Sequence, residues 1–260
     1  MDIKLLNEEK DKATYLIKGI DTNLANSLRR TAQEVPTLAI DEVEFIKNDS
    51  ALFDEIIAHR LGLLTLKTEK GILSRDECSC KGKGCSKCTS VLKLKAEGPR
   101  TVYASDIKGK DIIVYKKTPL LILTKGQELE LNAYARIGIG KEHSKFSPAL
   151  VYFRPLAQID FSKECDLCNA CVDACPLHLL SFQGKEVSVS DINSCDLCNA
   201  CVDACNKKGK NAISIKPSKE DFVFVIESFG QLSVREIFTG ICRIIEKHLK
   251  ELDKKIAKVL

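Results

Sequence analysis

The chain has 260 residues, 44% hydrophobic and 29% charged, with 14 Gly and 7 Pro; this excludes a disordered chain and predicts more than one hydrophobic core. Forty basic residues against 36 acidic ones leave a net charge of +4, and clusters as short as Lys207, Lys208 and Lys210 permit nucleic acid contact without indicating it. No stretch approaches the ~18 to 20 apolar residues of a membrane span, and the opening MDIKLLNEEKDK lacks the apolar run of a signal peptide, so a cytoplasmic location is expected.

In chain order, Ile3 to Leu6 and Thr14 to Ile20 flank the polar turn NEEKDK and predict a hairpin. Asp21, Thr22 and Asn23 offer N-caps for a helix LANSLRRTAQEV, with Leu24, Leu28, Ala32 and Val35 on one face, ended by Val35 and Pro36. A strand over Leu38 to Ile46 precedes a second helix, DEIIAHRLG, ending at Gly62. Residues 90 to 155 read as strands and loops, with two β-like stretches around Gly126. Phe222 to Ile226 alternates as a strand, and Ser233 to Glu236 forms a capping box opening a helix that can run to the chain end. Its apolar positions are Ile237, Phe238, Ile241, Ile244, Ile245, Leu249, Leu252, Ile256 and Val259. A helix of ~28 residues is ~42 Å long, so its far end is expected to leave its own core and to be covered by a partner chain. This mixture is α+β.

Thirteen cysteines in a chain with no secretory signal argue against a disulfide scaffold. They fall into three quartets, with Cys242 alone in an apolar helical pattern that suggests a core residue. The first, Cys78, Cys80, Cys85 and Cys88, has C-x-C-x4-C-x2-C spacing with Gly82 and Gly84 in the loop; it suits a tetrahedral zinc site, and a loop of free thiols is the alternative. The other two stand in the same eleven residues, CDLCNACVDAC, at 165–175 and again at 195–205. Each run has the C-x2-C-x2-C-x3-C spacing of two-cluster ferredoxins, in which the fourth cysteine ligates the other cluster. Cys165, Cys168, Cys171 and Cys205 are therefore assigned to one [4Fe-4S] cluster, and Cys195, Cys198, Cys201 and Cys175 to the other. The fourth cysteine of each run is expected at the start of a helical turn. Leu179 to Phe182 and Ala212 to Ile215 are expected to be short closing strands of a unit over 158–217. Pro176 follows the first run as the pattern expects, but Asn206 and an extended NKKGKN turn follow the second, leaving [3Fe-4S] as the alternative at one site.

The segment from Asn26 to Leu66, NSLRRTAQEVPTLAIDEVEFIKNDSALFDEIIAHRLGLLTL, resembles the archaeal RNA polymerase D subunits, counterparts of bacterial alpha and of the third-largest subunit of eukaryotic polymerase II. The resemblance extends to FVFVIESFGQLSVREIFTGICRII, to the cysteine loop at 78–88 and to the ferredoxin-like insertion that some D subunits carry. It implies an alpha-subunit-like dimerisation domain from residues 1–42 and 220–260, split by an insertion domain over 43–157 and, inside that, by a dicluster ferredoxin-like domain over 158–217. It further implies a heterodimer with subunit L, made by Leu24, Leu28, Phe238, Ile241, Ile245, Leu249 and Leu252 on the terminal helices. Subunits N and P and the large catalytic subunits would join this platform, through segments that include Arg29, Arg30, Asp54, Glu55, His59, Arg60 and Leu61. DNA would be reached only through the complex, and the clusters would be structural or redox-responsive. No clustered aspartates for two magnesium ions and no G-x4-GK-[ST] loop occur in the sequence, so no active site of its own is expected. The alternative reading is a dicluster ferredoxin-type electron-transfer subunit of an oxidoreductase, which accounts for only about sixty residues.

Overall fold

The computed structural model describes residues 1–69, 71–163, 165–184 and 186–259. In chain order its elements begin with β1 (Asp2–Glu8), β2 (Lys12–Lys18), α1 (Thr22–Thr31), β3 (Thr37–Asn48) and α2 (Asp54–Gly62). There follow β4 (Thr89–Glu97), β5 (Arg100–Tyr103), β6 (Pro119–Leu123), β7 (Glu128–Gly138) and β8 (Ala149–Phe161). The cysteine-rich segment contributes α3 (Ala170–Ala174), β9 (Leu180–Gln183), β10 (Glu186–Val189) and α4 (Ala200–Lys207), and the chain closes with β11 (Ile213–Ser228) and α5 (Val234–Ile256). Two compact units result, residues 1–29 with 151–226 and residues 30–150 with 227–260.

In the first unit the expected hairpin forms, β1 pairing antiparallel with β2 from Asp2 opposite Lys18 to Glu8 opposite Ala13. Its sheet runs in the order β1-β2-β11-β8. Phe222 to Ile226 does not alternate: all five side chains are buried, so this part of β11 has both faces covered. Phe153 of β8 stacks on Phe224 at 6.2 Å and meets Phe222 edge-on at 5.5 Å, tying the two strands together. Both strands continue past this core into the cysteine-rich segment, where the Ser162 N–H donates to the Ala212 carbonyl at 2.8 Å. The separate strands expected at 212–215 and 222–226 are thus one strand of 16 residues.

In the second unit β3, β7 and β4 form a sheet in that order, with both pairs antiparallel. The strict alternation of TSVLKLKAE gives β4 one buried face. Against β3 of this sheet lies α2, whose Ile57 and Leu61 are no more than 1% exposed and contribute about 1.5 to 3 kcal/mol each by burial. β5 and β6 make a second, smaller pair.

The long C-terminal helix opens on the expected capping box, with the Glu236 N–H bonded to Ser233 Oγ at 3.3 Å and the Ser233 N–H to Glu236 Oε2 at 3.0 Å. It spans 23 residues, about 35 Å, and stops at Ile256 rather than running to the end; Leu260 lies outside the described residues. Val234, Ile237 and Ile241 are buried, Gly240 lets the helix approach Val35, and His248 Nε2 lies 3.3 Å from Glu34. A second row along the helix, Phe238, Cys242, Ile245, Leu249, Leu252 and Ile256, is spaced 4, 3, 4, 3 and 4 residues apart. Its last three members are 61%, 53% and 46% exposed, which is an uncovered coiled-coil seam. Cys242 stands in this exposed row, not in the core as its surroundings in the sequence suggested.

Candidate metal centres

The loop from α2 to β4 carries the first quartet. Two turns present the sulfurs: the Lys81 N–H bonds to the Cys78 carbonyl at 3.0 Å and the Cys88 N–H to the Cys85 carbonyl at 3.0 Å. Gly82 and Gly84 between them have φ of 80° and 81°, a left-handed backbone that glycine adopts without strain. All four Sγ atoms lie within 4.8 Å of one another, with Cys78 to Cys85 at 3.5 Å, Cys80 to Cys88 at 3.6 Å and Cys85 to Cys88 at 4.0 Å. A tetrahedron of sulfurs about 2.3 Å from a zinc ion has edges of about 3.8 Å, so the donor set fits that ion. Burial would raise the Cys80 thiol, yet hydrogen bonds from Cys78 and Cys88, the Gly84 backbone and Cys85 hold it down to about 6. The Cys80 backbone favours ionised Cys78, but burial and hydrogen bonds to the other three thiols push it up to about 12. Four sulfurs this close cannot all ionise without a cation among them, and metal uptake here must release protons.

The second and third quartets lie between β8 and β11. In each run a left-handed leucine and asparagine, Leu167 and Asn169, then Leu197 and Asn199, turn the backbone before a short helix. Cys171 and Cys201 sit in the first turns of α3 and α4. The fourth cysteines lie at the ends of these helices rather than at their starts, Cys175 as the C-cap of α3 and Cys205 in the last turn of α4. Helix begins at the residue after each asparagine, so one turn of it carries the chain from the third cysteine to the fourth.

One cavity is lined by Cys165, Cys168, Cys171 and Cys205 together with Phe161, Phe182 and Lys210. Burial first, then Cys165, Cys205 and Cys168, raise the Cys171 thiol. Burial likewise pushes Cys201 up to about 11, with Cys175 and Cys195 as its charged neighbours; the Ala200 backbone lowers the Cys198 thiol, but burial and Asp196 outweigh it and raise the group. Cys165, Cys168, Cys171 and Cys205 thus share the wall of one cavity. Cys168 and Cys198 are exposed while Cys171, Cys175, Cys195, Cys201 and Cys205 are buried. Each fourth sulfur accepts a backbone bond, Cys175 from Leu179 at 3.4 Å and Cys205 from Ala212 at 3.3 Å. Sequence reasoning missed Arg154 of β8, which donates to the carbonyls of Asn193 and Cys195 and braces the second run. A lone arginine in a strand carries no pattern that would have revealed it.

The residues expected to face partners divide. On α1, Leu24 is exposed and Leu28 buried; Arg29 donates to Asn26 Oδ1 through Nε at 3.1 Å and Nη2 at 2.9 Å, and Arg30 is exposed. On α2, Asp54, Glu55, His59 and Arg60 are exposed, Asp54 accepting from Asn48 at 2.7 Å and Arg60 donating to the Leu120 carbonyl. Leu61 faces the core, because it lies one helical turn from Ile57 on the apolar side. His59 lines a cleft with Asp41, His143 and Lys145. Burial would raise the Asp41 carboxyl, but bonds from Arg136 and Lys145, both at 2.6 Å, outweigh it and hold the group below its ordinary value. On α5, Ile241 is buried in its own chain with Ile237, Phe238 and Ile245 are half-buried, and Leu249 and Leu252 are exposed.

Residues 39–151 match the family model of the RNA polymerase Rpb3/RpoA insert domain. Over 99% of its length the chain is 38% identical to DNA-directed RNA polymerase subunit Rpo3 of Archaeoglobus fulgidus, covering 98% of that protein. It is 36% identical to the Rpo3 subunit of Thermococcus kodakarensis, with 98% of each covered. With DNA-directed RNA polymerase II subunit rpb3 of Dictyostelium discoideum the identity is 30%, over 99% of this chain and 95% of the other. A likeness that runs through both compact units and the cysteine-rich segment at these identities has one reading: the chain belongs to the Rpo3 family of DNA-directed RNA polymerase subunits.

Proposed function

We propose that this chain is a non-catalytic assembly platform of an archaeal DNA-directed RNA polymerase. It pairs with subunit L through α5 and α1, and the pair recruits subunits N and P and the large catalytic subunits. The dimerisation domain is drawn from residues 1–42 and 220–260, the insertion domain from 43–157, and a ferredoxin-like domain from 158–217. The observation that carries the reading is the uncovered seam on α5, where Leu249, Leu252 and Ile256 repeat at coiled-coil spacing and remain exposed. Co-expression of the tagged chain with L and affinity purification tests it. A one-to-one heterodimer that then captures the large subunits is the expected result, and recovery of a flavoprotein or reductase in place of L would overturn it.

The eight cysteines of the repeated runs hold two [4Fe-4S] clusters in this reading, and the quartet at 78–88 holds zinc. The clusters supply one-electron redox chemistry or a structural staple for a segment with little core of its own. The chain's part is to bury most of the sulfurs, direct the Leu179 and Ala212 N–H groups onto two of them, and fix the second run through Arg154. Protein purified without oxygen is expected to carry about eight irons per chain, the content of two four-iron clusters, and one zinc. Cys78→Ser combined with Cys80→Ser removes the zinc and leaves the iron unchanged. Loss of iron in that variant would show that the three quartets are wrongly grouped.

A further inference from the structure

The two cysteine runs are identical for eleven residues, so any difference between their sites originates outside the runs. Both repeat the same left-handed backbone at their leucine and asparagine positions, and both end on a backbone N–H bonded to the fourth sulfur. Those two donors align the connections that leave the runs. Four residues lead from Cys175 to Leu179, and seven lead from Cys205 to Ala212. Counted back from the donors, Lys210 takes the place that Leu177 holds in the other half.

The longer connection makes a detour. Gly209 and Asn211, both left-handed with φ of 73° and 48°, turn it so that Lys210 reaches the wall of the cavity formed by Cys165, Cys168, Cys171 and Cys205. There its Nζ lies 3.0 Å from Asp166 Oδ2, in a wall it shares with Cys168 and Cys205. The corresponding carboxylate of the second run, Asp196, accepts the Cys198 N–H at 3.2 Å. The connection after Cys205 therefore carries a lysine where the one after Cys175 carries an exposed leucine, and the second run has its own cation in Arg154 on the Asn193 and Cys195 carbonyls.

We propose that Lys210 raises the reduction potential of the iron-sulfur cluster held by Cys165, Cys168, Cys171 and Cys205. An electron taken up by a cluster adds negative charge, and a cation held nearby favours the reduced form. Lys210 and Asp166 are 41% and 45% exposed, so water and salt attenuate the effect without abolishing it. The extra residues after Cys205, which break the pattern of the repeat, thus become a device that tunes one of the two sites. The inference rests on the iron-sulfur reading of the runs and is tested separately from it.

The test is an anaerobic titration of the full chain with dithionite and mediators, followed by electron paramagnetic resonance, with iron counted first. Wild type is expected to show two one-electron waves. In Lys210→Gln one wave moves to lower potential, with a several-fold fall in its reduced fraction at a fixed potential, and the other stays. In Leu177→Lys the wave that Lys210→Gln leaves in place rises. Two waves that both stay in place in Lys210→Gln, or that move together, overturn the proposal. Should Lys210→Gln lose iron, Leu177→Lys decides alone: a rise of one wave upholds the proposal and two unmoved waves end it. Wild type that binds no iron under these conditions removes the cluster reading itself, and this inference with it.

Discussion

A chain carrying Ile245→Glu and Leu249→Glu is expected to fold and to lose subunit L. Leu249 is 61% exposed and Ile245 half-buried, so charge at these positions disturbs the lone chain little. In a seam covered by a partner helix each side chain contributes about 1.5 to 3 kcal/mol. Losing both weakens pairing by roughly 10²- to 10⁴-fold before the cost of burying two carboxylates is added. Ile241→Glu is the informative contrast. That side chain is fully buried against its own chain, so its replacement lowers thermal stability first and pairing only as a consequence. Circular dichroism melting and co-purification with L, run on all three proteins, separate the two effects. A double variant that still co-purifies one to one with L would place the interface elsewhere.

Replacing residues 158–217 with a short Gly/Ser linker is expected to leave L binding intact. β8 and β11 are neighbours in one sheet, and their pairing extends to the bond between Ser162 and Ala212. Neighbouring strands are about 4.8 Å apart, a gap that a few residues bridge. The ring contacts of Phe153 with Phe222 and Phe224 remain in place, and so does all of α5. Damage to the segment is a different perturbation from its removal. In the cluster reading proposed above, Cys175→Ser and Cys205→Ser each take a ligand from the cluster held mainly by the opposite run, so either change is expected to loosen both halves and expose apolar surface without abolishing the proposed pair with L. Recruitment of the large subunits is expected to suffer more than pairing with L. Titration of each variant with L and then with the remaining subunits measures both steps. Failure of the linker variant to bind L, with wild type binding normally, would mean that the segment supports the dimer directly.

Most elements were legible because their chemistry is local. The polar turn NEEKDK, the bounds of DEIIAHRLG and the Ser233 capping box each contain their own start or stop signal, and the structure follows them closely. Cysteine spacing likewise announced the quartet at 78–88, whose four Sγ atoms the structure brings within 4.8 Å of one another, since ligand sets of this kind are written in the chain at short range. What escaped depends on tertiary burial. Leu61 and Ile241 lie on the same helices as exposed neighbours, and only packing decides which side of the apolar pattern turns inward. Cys242 belongs to the outer row for the same reason, a helix with two apolar rows offering two equally good core faces. The continuity of β11 through Pro217 was hidden by that proline, which reads as an interruption but is tolerated in a strand where its missing N–H is not needed.

The joint between β8 and β11 also bears on how the chain acquires its fold. About fifty residues separate the two strands, and each doubling of a flexible loop adds about 0.6 kcal/mol to the entropy of closing it. Once the cysteine-rich segment has closed on itself, its ends already stand one hydrogen bond apart at Ser162 and Ala212. The effective loop then shrinks from about fifty residues to a few, close to four halvings, and closing the sheet becomes easier by about 2 kcal/mol. A long-range pairing is thereby converted into a nearly local one, so the order in which the segment and the sheet form governs how fast this polymerase subunit reaches its native state.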